Sequence, residues 1–143
     1  MRGISVVIAE PTQTERVAYV RQLFSEEGIH VVAQAGTKQD VVEALKLRPH
    51  ILVLNWEMAG VSEMLLRLVR RDTPGTKVIL LINRMGRRQL VHVLSHGARG
   101  YLGRALARSS LAKAIRLVDK GDVWVSRAMV PILVAVLSRT ALA

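Results

Sequence analysis

The chain predicts an α/β fold: a five-stranded parallel sheet with helices on both faces, followed by an extra C-terminal helix. Two observations carry this. Short runs rich in Val, Ile and Leu recur along the chain, and each is followed by a segment whose apolar residues repeat every three or four positions. The runs are short and almost wholly apolar, the pattern of strands buried on both sides. A length of 143 residues without internal repeats or low-complexity stretches fits one compact domain.

The first strand is expected over 6–9 and ends at Glu10. A helix over 14–27 places Val17, Val20, Leu23 and Phe24 on one face and stops at Gly28. The second strand follows at 31–33, then a helix over 38–47 with Val41, Val42 and Leu45 inward, ending before Pro49. The third strand, 51–54, lies in ILVLNWEMAG and delivers Asn55 to its C-terminal end. That end of an open α/β sheet is where ligands bind. A helix over 64–71 carries Leu65, Leu68 and Val69 and runs into a Thr-Pro-Gly turn. The fourth strand is 78–82, its helix is 87–95 with Leu90, Val91 and Leu94, and the fifth strand is 100–102. A helix over 110–120 buries Leu111, Ala114, Ile115 and Val118 before Gly121, and SRAMVPILVAVLSRTALA closes the chain as a final helix with Pro131 in its first turn.

Composition bounds the function. There is no cysteine, which removes disulfides, thiolate metal sites and Cys nucleophiles and points to a reducing cytoplasm. The stretch Ile4–Ala9 is too short for a secretory signal, and the apolar stretch 128–137 is about half a membrane span, so no membrane association is expected. The net charge of +10 is unevenly spread. Residues 1–66 carry six Lys/Arg against eight Asp/Glu, residues 67–108 ten against one, and residues 109–143 five against two. The basic middle block suits an acidic partner surface or a nucleic acid backbone, or is simply a solvated face.

The order of elements, with VVIAEPTQTERV, RPHILVLNWEMAG, TKVILLI and GARGYLGR, resembles the receiver domain of two-component response regulators, of the LuxR/NarL type that precedes a helix-turn-helix. The resemblance covers about residues 4–126, with one residue missing near 61–63. It implies a flavodoxin-like (CheY-like) sheet of order 2-1-3-4-5, a receiver-like domain over 1–126 and a helix or linker over 127–143. It also implies a phosphorelay module of a bacterial transcription regulator, with a DNA-binding domain beyond the C-terminus.

Receivers use five positions, and four are altered. The acidic pair that helps hold Mg²⁺ becomes Glu10 and Pro11, the phosphoryl-accepting Asp becomes Asn55, the Thr or Ser after the fourth strand becomes Ile82, and the Lys after the fifth becomes Arg104. Tyr101 keeps the aromatic switch position. Glu10, the Asn55 amide oxygen and the Glu57 carbonyl are a poor set for Mg²⁺, which prefers several carboxylates. A neutral amide is a feeble nucleophile, and Ile82 offers a phosphoryl oxygen no hydrogen bond. The expectation is a degenerate pseudo-receiver with no catalytic residue, metal or cofactor, acting as an interaction or dimerisation module. Arg104 either pairs with Glu10, points to solvent, or helps bind a free anion.

Arg84, Arg87, Arg88, Arg99 and Arg108, with Arg104, are expected on the face formed by the fourth helix, fifth strand and fifth helix, where like charge disfavours self-pairing and favours an acidic protein partner. The rival is a nucleic-acid-binding module, weakened by the absence of aromatic interleaving. A third reading keeps phosphorylation but moves it to Ser62. His92 and His96 lack a third metal ligand and read as a solvated helix face; Trp56 reads as packing near the site and Trp124 as pinning the tail. Val130, Leu133, Val134 and Leu137 form an apolar stripe on the last helix, expected as a partner or dimer interface.

Overall fold

A computed structural model describes residues 2–58 and 62–142. Five parallel strands stand in the order β2-β1-β3-β4-β5: β1 (Ile4–Ala9), β2 (Ile29–Ala35), β3 (Ile51–Asn55), β4 (Lys77–Ile82) and β5 (Ala98–Gly103). Between and after them run α1 (Gln13–Phe24), α2 (Lys38–Leu45), α3 (Ser62–Asp72), α4 (Arg87–Ser95), α5 (Arg104–Asp119) and α6 (Val130–Leu142).

The strand sequences explain the layering, because alternate residues face opposite sides. Val6 and Ile8 of β1 and Ile51 and Val53 of β3 meet Tyr19 and Leu23 of α1 and Leu111, Ile115 and Val118 of α5. Val7, Leu52, Leu54 and Leu80 point the other way, onto Val41 of α2, Leu65 and Val69 of α3 and Val93 of α4. All five residues of β3 are buried, so Asn55 arrives at its site on a strand fixed from both faces.

Several elements depart from the sequence expectation: α1 ends at Phe24, three residues before the expected 27, and β5 runs over six residues where three were expected. β2 is an edge strand of seven residues whose burial alternates, so its apolar centre understates its length. α5 begins at Arg104, six residues before the expected start, with Gly103 as its N-cap. On α1 the inward face is Tyr19 and Leu23, one turn apart, and Phe24, rotated off that stripe, is 89% exposed.

The segment after α5 returns to the sheet. Trp124 bridges Gly100 of β5, with its N–H donating to the Arg99 carbonyl at 3.0 Å and its own carbonyl accepting from Tyr101 N–H at 3.0 Å. A Cβ on Gly100 would lie 2.9 Å from Trp124 atoms, so only glycine lets this segment approach. A 3-10 turn over Arg127–Met129 then leads into α6, which packs on α4.

Candidate functional site

The altered positions converge at the C-terminal ends of β1, β3 and β4. Glu10 is 1% exposed and Asn55 9%. The Asn55 amide nitrogen donates to Glu10 Oε1 at 2.6 Å, and Thr12 N–H donates to Glu10 Oε2 at 2.8 Å. Glu57 N–H donates to Asn55 Oδ1 at 2.8 Å, while Arg16 Nη1 donates to the Glu10 backbone carbonyl at 2.6 Å. A buried carboxylate and a buried amide thus satisfy each other, as buried polar groups must.

Little room is left. A cavity of about 10 Å³ remains among Glu10, Asn55, Ile82, Tyr19 and Arg104, space for roughly one water. Mg²⁺, which the resemblance to receivers implies, does not fit these donors: both Glu10 carboxylate oxygens and the Asn55 oxygen already accept protein N–H groups. Among the described residues no cluster of three or more His, Asp or Glu could hold a metal.

Arg104 does not pair with Glu10. Its Nη1 lies 3.1 Å from Glu15 Oε1, because α5 starts at Arg104 and turns the guanidinium toward the first turn of α1. The pair is half open to solvent on the Arg side, and Glu15 Oε2 is buried without a hydrogen-bond donor. Tyr19 lies beside them, 5% exposed. Burial raises its phenol pKa, the Glu15 and Glu10 carboxylates raise it further, and Arg104 and Arg108 pull against them. Sequence reasoning missed Glu15, Arg16 and Tyr19. Only the four-residue spacing of Tyr19 and Leu23 pointed inward, and nothing local could show that α1 closes over this strand end.

Glu57 and Ile82 also line this cavity, whereas Pro11, Tyr101 and Ser62 do not. Pro11 and Glu57 are exposed and Ile82 is half-buried at the cavity wall. Tyr101 is half-buried, with its hydroxyl accepting from Ser126 N–H and donating to Ser126 Oγ, both at 3.2 Å. Ser62 is buried, its hydroxyl donating to the carbonyls of Trp56 at 2.7 Å and Asn55 at 3.3 Å, which leaves it poorly placed as a phosphoryl acceptor. His92 Nε2 donates to Glu63 Oε1 at 2.7 Å, and that contact holds the Glu63 carboxyl below its usual range.

Arg84, Arg87, Arg88 and Arg108 are exposed at the same end of the sheet as Asn55, on the entry to α4 and the first turns of α5. Arg99 is not with them: it stands at the start of β5, five residues and about 16 Å of strand from Arg104. The apolar stripe of α6 is also divided. Leu133 is 3% exposed and packs in the core layer of α3 and α4 with Met129, whereas Val130 and Val134 are 42% and 57% exposed. Leu133 is therefore spent on the chain's own body and is no free interface residue. The side chain of Leu137 lies outside the described residues.

Comparison with known proteins agrees with this architecture. The response regulator GacA of Pseudomonas protegens is 26% identical over 125 residues, covering 86% of this chain and 59% of GacA. The oxygen regulatory protein NreC of Staphylococcus epidermidis is 30% identical over 128 residues, covering 85% of this chain and 57% of NreC. The chain thus spans less than two thirds of either relative. The isolated receiver domain of RcsB from Salmonella enterica serovar Typhimurium, in its apo form, superposes with a TM-score of 0.83 at 23% identity over 92% of this chain and 98% of that one. With the response regulator receiver domain profile matching residues 6–116 as well, the chain belongs to the response regulator receiver domain family.

Proposed function

We propose that this receiver signals without aspartyl phosphate, as a pseudo-receiver that acts through protein contacts, in a bacterial transcription regulator of the GacA and NreC kind. The observation that carries the reading is the Asn55–Glu10 hydrogen bond of 2.6 Å in a site with about 10 Å³ to spare. In a working receiver that strand end must admit a phosphoryl group and a hard cation. Here an amide takes the place of the cation, linking the carboxylate to the acceptor position, and Ile82 takes the place of the hydroxyl.

The output then runs through surfaces. Arg84, Arg87, Arg88 and Arg108 make no ion pair among the described residues, and α4 and α5 carry no acidic residue in their first turns. Helix N-termini add partial positive charge at the same edge. This rim suits an acidic protein surface and repels a second copy of itself. RcsB, a structural neighbour, has been solved as two dimers bound to two parallel DNAs; by analogy, DNA contact belongs to a further domain and dimer contact to other surfaces, with the exposed Val130 and Val134 available to it.

The test is a nitrogen–proton correlation spectrum with and without beryllium fluoride and Mg²⁺, a phosphoryl mimic. The spectrum is expected to stay unchanged. Saturable shifts at Asn55, Ile82 and Tyr101 would contradict the reading.

A further inference from the structure

The opposite end of the sheet holds a second concave site. A cavity of about 310 Å³ opens between α3 and α4, at the start of β4 and β5, within the roughly 300–1,000 Å³ of pockets that take small ligands. Its floor is apolar, from Leu66, Val69 and Leu94. Its rim carries Arg70, Lys77 and Arg99, and none of its lining residues is acidic.

The three cations lack carboxylate partners. Among the described residues neither Arg70, Lys77 nor Arg99 belongs to an ion pair. Lys77 Nζ donates to the Asp119 backbone carbonyl at 3.1 Å, while the Asp119 carboxylate is taken by Arg2 at 2.8 Å. Asp122 lines the neighbouring hollow, which shares Lys77 and Arg99, and makes no ion pair there. Gly97, at φ +110°, forms part of the wall, and the Arg70 stem lies across it, 3.1 Å from where a Cβ would stand. The Thr76 hydroxyl donates inward to the Pro49 carbonyl at 2.6 Å, which leaves recognition to the cations. Holding three positive groups around one apolar hollow costs repulsion that an anion removes, and guanidinium forks match phosphate oxygens in geometry.

We infer that this pocket binds a small organic phosphate, with the phosphate held by Arg70, Lys77 and Arg99 and the apolar body against exposed Pro74 and the Arg70 stem, above the buried floor of Leu66, Val69 and Leu94. Such a ligand ties α3 to α4, the helix on which α6 packs. The site is separate from Asn55, so it stands whether or not the chain accepts a phosphoryl group.

Phenyl phosphate and inorganic phosphate, titrated calorimetrically into the full chain, test this. Phenyl phosphate is expected to bind saturably and more tightly than inorganic phosphate. Arg70→Met with Arg99→Met, which keeps the stems, should weaken binding about 10-fold or more. Arg84→Met with Arg87→Met should leave it unchanged. Amide shifts on the unsubstituted chain should centre on Lys77, Ser95, Gly97 and Arg99, which decides the matter even if the Arg70 and Arg99 variants fold poorly. Absence of saturation, equal loss in the Arg84 and Arg87 variant, tighter binding of inorganic phosphate, or shifts centred on Asn55 and Arg104 would each overturn the inference.

Discussion

Asn55 is best understood through the oxygen it does not have. Its Nδ2 sits 2.6 Å from Glu10 Oε1, so an aspartate at this position would set two buried carboxylate oxygens at that distance. Two such groups cannot both stay ionised without a cation between them, so one pKa rises. A carboxyl whose folded pKa is raised contributes stability at low pH that is lost as pH rises. Asn55→Asp should therefore be close to the parent near pH 4 and about 1–3 kcal/mol less stable at neutral pH, measured by urea denaturation at both values. Tyr19 obeys the same sign. Its raised phenol pKa gives a contribution to stability that is full below about pH 10 and is lost as pH rises through the folded value. Ultraviolet titration should show one of the chain's two tyrosines ionising late, and Tyr19→Phe should remove that late component.

The same scale shows where sequence reading stops. Glu10, Asn55, Ile82 and Arg104 each end a strand or begin a helix, and their positions could be read from the apolar runs before them. Their partners could not. Arg104 pairs with Glu15, 89 positions away, because the helix it begins starts six residues before the expected 110.

At the scale of elements, α6 is the part whose role the structure changes most. Its apolar stripe invites reading as an exposed interface, yet Leu133 completes the layer that covers α4. Leu133→Ala should cost about 2–4 kcal/mol of stability, whereas Val134→Ala, on the 57% exposed side, should be near neutral; thermal melts of the two variants separate them. The central strands were legible because burial on both faces forces continuous apolar runs. β2 was only half legible, since an edge strand with exposed His30 and half-exposed Val31 alternates and blurs at its ends.

For the molecule as a whole, the sheet separates two kinds of surface. Its C-terminal edge carries the closed Asn55 site inside a basic rim, and its N-terminal edge carries an open pocket with its own cations. Eight of the ten basic residues of the middle block fall in these two places, which no linear count could show, because Arg99 and Arg104 are close in sequence and at opposite ends of β5. If the rim docks an acidic protein through defined contacts, random duplex DNA should bind only weakly and lose that binding steeply between low and moderate salt, which a gel-shift series checks.

Whether this receiver carries phosphate decides how its signal is made. Incubation with acetyl phosphate and Mg²⁺ followed by intact-mass measurement addresses it directly, for the parent chain and for Asn55→Asp. No phosphoryl adduct is expected on either, since a carboxylate restored at position 55 brings back neither the missing acidic partner nor the hydroxyl at position 82. A stoichiometric adduct on the parent chain, at Ser62 or anywhere else, would contradict the pseudo-receiver reading.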